Sequence, residues 1–414
     1  ITAFTATYGS VSSEQLFTFT ASGLPFTSPV TITAPTNFQV SLSSGSGFGS
    51  SVVVNTDGTG AISPAVTIHV RMNNGINAGS VTGGNITLVE GATNSSVAIP
   101  NSTVDPKPLT ISTPSIASKV YDGTTAAGVI TPGTLSGFVG IETVTATASA
   151  TAYSSANVGA AYTSTVSYVL ADGTNGGLAA NYSAPANNNL TGLAITAKPI
   201  TISGTSIAPK VYNGSAAAGT ITLGAITGLV NTETLAITPS ATAYSSANVG
   251  AAYTSTVSYA IADGTNGGVA TNYSTLANDN LTALSITAAP LTITADSVNK
   301  YHGLVIVTPA TGITAFTATG LQNSETIGSV TMTYGYGAAA PDTVGVNLTG
   351  VTPSAATGGT FTASNYSITY TSNKLSVIKN NNAFLSNLVS TTGALNTAFN
   401  KFDLDYDTYV LTAV

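Results

Sequence analysis

The sequence predicts an all-β protein built from tandem β-sandwich modules that follow one another end to end as an elongated rod. Three observations predict it. Nineteen residues, ATAYSSANVGAAYTSTVSY, occur identically at Ala150–Tyr168 and Ala241–Tyr259, 91 positions apart. Short runs of alternating apolar and hydroxyl-bearing residues recur along the chain. No stretch has the apolar spacing of an amphipathic helix. A period of 91 residues denotes whole domains in tandem rather than a small solenoid unit.

The strand reading rests on particular stretches. In AVTIHVRM, Val66, Ile68, Val70 and Met72 fall on one face, and Thr67, His69 and Arg71 on the other. In YTSTVSYVL, Tyr162, Val166, Tyr168 and Leu170 alternate with Thr163, Thr165 and Ser167. Thr, Val, Ile and Tyr suit a pleated, half-buried surface. Clusters such as NTDGTG (Asn55–Gly60), GLPFTSP (Gly23–Pro29) and SGSGFGSS (Ser44–Ser51) are turn material, and they lack the strand–loop–helix context of a phosphate-binding loop.

Module boundaries come from a second repeat. KPLTIS begins at Lys107, KPITIS at Lys198 and APLTIT at Ala289, and each reads as the first strand of a module. The segments are therefore 1–106, 107–198, 199–289 and 290–379, followed by 380–414. The third repeat is diverged but keeps KYHG (Lys300–Gly303), TGLQNSETI (Thr319–Ile327) and SNYSITY (Ser364–Tyr370). Closing and opening strands are separated by about two residues, one of them proline, which predicts stiff joints rather than loose tethers. Modules of ~30–40 Å would give four of them a span on the order of 150 Å. Residues 380–414 are too few for a core of their own, so they read as part of a larger domain or as a strand donated to a neighbour by β-augmentation.

Composition excludes several functions. Only 6% of the 414 residues are charged and the net charge is −7. With Arg71 and eight lysines, the chain has no basic stripe to neutralise phosphates, so nucleic acid is not an expected partner. Cysteine is absent, which removes disulfides, thiolate metal sites and cysteine nucleophiles. No apolar run approaches the ~20 residues of a membrane-spanning helix, so no membrane insertion is expected of this segment. The chain opens at Ile1 inside strand-like sequence and is read as an excerpt of a longer polypeptide.

Candidate sites are few. Asp122, Asn213 and His302 are taken as equivalents, each before glycine. A catalytic carboxylate could not become an amide and still act as a base, so they read as turn residues. Glu142, Glu233 and Glu325 recur at one module position, and Lys119, Lys210 and Lys300 recur upstream. The readings weighed are a repeated ligand site, a glutamate bonded to loop amides, or a Lys–Glu pair across each module. Asp403, Asp405 and Asp407 in FDLDYD could bind calcium but lack the glycine and terminal glutamate of an EF-hand loop. His69 and His302 sit in unrelated segments and build no triad or metal cluster, and His69 reads as solvated. No catalytic, cofactor or metal residue is therefore assigned, and no enzyme is expected.

KVYDGTT (Lys119–Thr125), LSGFVGIETV (Leu135–Val144), ANVGAAYT (Ala156–Thr163) and NYS in the second and third segments resemble the YDG repeat of bacterial surface proteins. The fourth segment, LTITADSVNKYHG to NYSITYTSNKLSVIK, is similar to the MBG repeat. VTITAPTNFQVSLSSGSGFGSSVVV (Val30–Val54) resembles Ig-like modules of secreted Bacteroidota proteins, and FLSNLVSTTGALNTAFNKFDLDYDTYVLTAV resembles the opening of a cadherin-like domain. These resemblances imply tandem Ig-like β-sandwich modules in a non-catalytic extracellular protein, a stalk or filament of a bacterial cell-surface adhesin. Its partners would be copies of itself or further modules. DSV (Asp296–Val298) and DTV (Asp342–Val344) match the O-glycosylation pattern they imply. The alternative is a glycan- or receptor-binding adhesin module facing surface glycans or host or neighbouring cells.

Overall fold

In the computed structural model, which describes residues 1–380, nearly every ordered element is a β-strand. The helical pieces among the described residues are three single 3-10 turns, Ala179–Asn181, Ala270–Asn272 and Ala363–Asn365. No helix among them is long and apolar enough to cross a membrane. Alternation does what the sequence predicts. Ile62–Met72 buries Ile68, Val70 and Met72 completely, while Gly159–Asp172 buries Val166 and Tyr168 and turns Thr165 out to bond Asn189.

The described chain forms two compact units. The first gathers Ile1–Pro199 with Leu229–Glu233 and Asn266–Ser274. The second gathers Ile200–Gly228, Thr234–Thr265 and the described chain from Thr275 onward.

In the first unit, residues 1–106 supply three sheets. Gln15–Ala21, Ile62–Met72 and Phe38–Ser41 make one, and Ser51–Asn55, Pro29–Thr33, Gly84–Glu90 and Thr93–Ile99 another. The third joins Thr5–Thr7 in parallel to Ser102–Asp105, which pairs with Gly79–Val81. Residues 107–198 supply a four-stranded sheet in the order Lys119–Val120, Asn188–Thr196, Gly159–Asp172, Val144–Ala150. One buried apolar cluster runs through Ile32, Ile68, Val104, Leu109, Val144 and Tyr182, so the first two segments share a core.

The second unit repeats this arrangement. Lys210–Val211, Asp279–Thr287, Gly250–Asp263 and Leu235–Ala241 form the same four-stranded order, and the hairpin register Leu235↔Asp263 reproduces Val144↔Asp172. Residues from 289 onward add a five-stranded sheet (Val298–Tyr301, Asn373–Ile378, Gly345–Gly359, Ile327–Tyr334, Ala310–Ile313). They also add a three-stranded one (Phe316–Thr319, Ala289–Ala295, Tyr366–Thr371). Here too a single cluster, including Ile207, Ile286, Leu291, Met332 and Leu375, crosses the segment boundary.

Three crossings share one backbone plan. The last strand of a segment receives, in parallel, a short strand that ends at a tyrosine. The Tyr8 N–H donates to the Asp105 carbonyl at 2.9 Å, Tyr121 to Thr196 at 2.9 Å, and Tyr212 to Thr287 at 2.8 Å. Two residues beyond each of these carbonyls, Lys107, Lys198 and Ala289 stand in parallel register with Tyr182, Tyr273 and Tyr366. Each crossing chain is thus flanked by one tyrosine from the segment it leaves and one from the segment it enters.

Candidate functional site

The tyrosines at each crossing converge on the recurring glutamate. Glu142 accepts hydrogen bonds from the Tyr8 hydroxyl at 2.8 Å and the Tyr182 hydroxyl at 2.6 Å. Glu233 accepts from Tyr121 at 2.7 Å and Tyr273 at 2.5 Å. Glu325 accepts from Tyr366 at 2.7 Å and also from Tyr212. A loop turn sets each carboxylate in place, closed by the N–H of Glu142, Glu233 or Glu325 donating to the carbonyl of Val139, Val230 or Gln322. The residue that offers this carbonyl also donates its own N–H to the second phenol, at 3.0, 3.0 and 2.9 Å. The ring pairs meet edge to face with centroids 5.4, 5.5 and 5.4 Å apart, the arrangement that the aromatic quadrupole favours.

Beside each pair lies an asparagine that is at most 1% exposed: Asn181, Asn272 or Asn365. Its side-chain oxygen accepts the N–H of Ala78, Val158 or Val249 from the preceding segment, at 2.8, 2.9 and 2.8 Å. Its amide donates to the side-chain oxygen of Asn77, Asn157 or Asn248. No buried side-chain polar atom among the described residues lacks a partner. The 3-10 turn that ends at each of these asparagines delivers it and the following tyrosine together, which is why NYS recurs.

Glycine is required at the same place. Gly9, Gly123 and Gly214 have φ of +82°, +77° and +73°, and a Cβ there would lie 2.5 Å from Val139 Cγ2, 3.0 Å from Val230 Cγ1 and 2.5 Å from Asn323 Cβ. Gly214→Ala is expected to destabilise the second unit by about 1–3 kcal/mol through left-handed strain plus contact. The urea midpoint of Gly214→Ala is expected to fall below that of the parent, and an unchanged midpoint would remove the requirement for glycine.

The electrostatics suit holding rather than proton exchange. Burial, and then the adjoining carboxylate, push the Tyr121 and Tyr182 phenols up to about 12. Burial leads the rise to about 12 at Tyr366 as well, with the Glu325 carboxylate adding to it. Tyr8, Tyr212 and Tyr273 are raised for the same reasons. All six phenols therefore stay protonated as donors, and hydrogen bonds to a charged acceptor are about twice as strong as neutral ones.

Several sequence expectations need correction. The glutamates pair neither with lysine nor with loop amides as acceptors of choice; phenols occupy them. Lys119 Nζ instead bonds Asp122 Oδ1 and the Thr124 carbonyl, both at 2.8 Å, and Lys210 bonds Asn213 Oδ1 at 3.2 Å. Lys300 is buried against the Leu304 and Ala339 carbonyls, with Asp342 at 3.9 Å. Asp122 and Asn213 are turn residues as read, their Oδ1 atoms accepting the N–H of Thr124 and Ser215. His302 is not their equivalent. Its N–H donates to the Ile378 carbonyl at 2.9 Å, which places it in the register of Tyr8, Tyr121 and Tyr212. His69 is partly covered rather than freely solvated, with 17% of its side chain exposed and Glu14 Oε2 3.1 Å from its Nδ1. The same carboxylate is held low by the Gly45 N–H, Ser44 and His69. Asp403, Asp405 and Asp407 lie outside the described residues.

Tyr8, Asn77 and the three tyrosine pairs escaped sequence reasoning. The repeated tripeptide NYS was the signal that could have found half of them. Residues 105–189 and 196–281 match the family described as YDG domain, so the all-β chain contains two copies of it. Tyr121–Gly123 lies within the first and Tyr212–Gly214 within the second. No curated protein matches the chain.

Proposed function

We propose that this chain, with its two YDG domains, is a non-catalytic structural segment of an extracellular bacterial surface fibre or filament, of the adhesin-stalk kind. One observation carries the reading: the same Glu–Tyr–Tyr–Asn set stands at three successive segment crossings, and each set reaches across its crossing through one tyrosine–glutamate bond and one asparagine–amide bond. Tandem domains on loose linkers move independently by default. A clasp built from charge-assisted bonds and an aromatic contact, joined at the first and third crossings by a shared core, opposes that movement, and duplication of the whole 91-residue unit adds length with a ready-made joint. Low charge and abundant threonine and serine fit a β-rich surface that works outside the cell. Its partners are further modules of the same polypeptide or other copies of it.

Antibodies raised against the purified chain test the location and form together. They are expected to label intact cells of the source organism and to decorate extended surface structures in electron micrographs. Labelling that appears only after lysis would overturn the proposal.

A further inference from the structure

The second and third segments are near copies, so a difference between them at an equivalent place is informative. The hairpin strand Val144–Ala150 or Leu235–Ala241 is the edge of its four-stranded sheet and, among the described residues, pairs on one side only. The Thr151 N–H donates to the Thr165 carbonyl at 3.0 Å, and that pair continues the register Ala150↔Val166. Bonded and unbonded pairs alternate along an antiparallel ladder, so Val144, Ala146, Ala148 and Ala150 direct their N–H and carbonyl groups away from the sheet. The Thr242 N–H donates to the Thr256 carbonyl in the same way, which puts Leu235, Ile237, Pro239 and Ala241 in the outward set of the third segment. Pro239 stands opposite Tyr259 as Ala148 stands opposite Tyr168. Proline has no N–H to offer, and at an outward position of an edge strand it blocks the addition of a further strand. The second segment lacks this guard.

Two more features set the second segment's edge apart. Val144–Ala150 reads VTATASA, with no charge, no proline and no bulge in its pairing, although exposed edges are normally protected by one of these. Its Thr147 pairs with Val169, which is 69% exposed, whereas the equivalent Thr238 pairs with Ala260. We infer that Val144–Ala150 is a self-association edge, on which the same strand of a second copy pairs antiparallel across a twofold axis at Thr147. In that register Ala146 of one copy faces Ala148 of the other, so outward N–H groups meet outward carbonyls. The two Thr147 side chains then lie between the two Val169 side chains on the solvent face. A second copy is the fitting occupant because the strand complements its own image and carries no charge to repel it. Such a contact is isologous and closes at two chains. Pairing of this kind is independent of where the chain works, so it can fail while the surface-fibre reading stands.

Sedimentation equilibrium of the full chain tests this. The parent is expected to dimerise weakly, with a Kd on the order of 100 µM, because one strand edge buries far less than a standard interface. Ala148→Pro copies the third segment's residue and removes no bond inside the sheet. It is expected to raise that Kd about tenfold or more. Thr147→Lys, at an exposed position, is expected to do the same by setting two like charges side by side at the axis, and near-ultraviolet dichroism should stay that of the parent. The Ala146 and Ala148 amides are expected to exchange about tenfold more slowly in concentrated than in dilute solution, while the equivalent Ile237 amide does not change. A parent that stays monomeric at millimolar concentration would overturn the inference. So would a dimer that neither variant weakens, or one that grows into larger assemblies through this edge.

Discussion

Glu233→Ala is expected to cost about 3–5 kcal/mol, the sum of two hydrogen bonds to a charged acceptor at ~1.5–3 kcal/mol each, with partial rehydration of the phenols. Tyr121 and Tyr273 are both 4% exposed, so their hydroxyls cannot turn freely to water once the carboxylate is gone. Glu233→Gln should cost less, because one amide oxygen still accepts, although without the charge. Loss should be local first. The Val158 amide, which donates to Asn272 across the crossing, and the Val230 amide, which donates to Tyr273 within the third segment, are expected to lose protection before the Val144–Asp172 hairpin does. A double-mutant cycle of Tyr121→Phe with Glu233→Gln should show coupling above ~1 kcal/mol, since the two residues share one bond. Strict additivity would mean that the contact contributes nothing across the joint.

Raising the pH through 10 to 12 is expected to open all three crossings within one range. In the unfolded chain a tyrosine loses its proton near 10, whereas Tyr121, Tyr182 and Tyr366 hold theirs to about 12. A folded-state value above the unfolded one means that the native clasp binds the proton more tightly. Its stabilisation is complete below pH 10 and is lost as the pH rises through about 12. A phenolate beside Glu142, Glu233 or Glu325 would set two negative charges at hydrogen-bond distance. Phenolate absorbance followed against pH should show a cooperative step near pH 12 accompanied by loss of near-ultraviolet dichroism. A single smooth titration with dichroism retained to pH 13 would contradict the clasp.

The strands were legible from residue chemistry alone. Ile68, Val70 and Met72 alternate with Thr67, His69 and Arg71, and a pleated strand offers that pattern one buried face. The recurring glutamates were legible as a set, but not their partners. Repeats conceal this information: Tyr121 lies 21 residues before Glu142 in its own repeat and 112 before Glu233 in the next, and identical copies give no sign of which glutamate it meets. Aligning copies favoured contacts inside one repeat, and so Lys119 was set against Glu142. His302 was misplaced for a related reason. The shared glycine aligned it with Asp122, whereas the strand register, fixed by backbone hydrogen bonds, aligns it with Tyr121. His69 illustrates a limit of another kind. Glu14 comes to it from a different strand end 55 residues away, and no local pattern announces that approach.

Amide exchange in a Glu142→Ala variant tests most directly whether a clasp ties two neighbouring segments together. The Ala78 amide, which donates to Asn181 across the first crossing, is expected to exchange about tenfold or more faster than in the parent, while the buried Ile62–Met72 strand keeps its protection. Unchanged exchange at Ala78 would contradict the clasp outright.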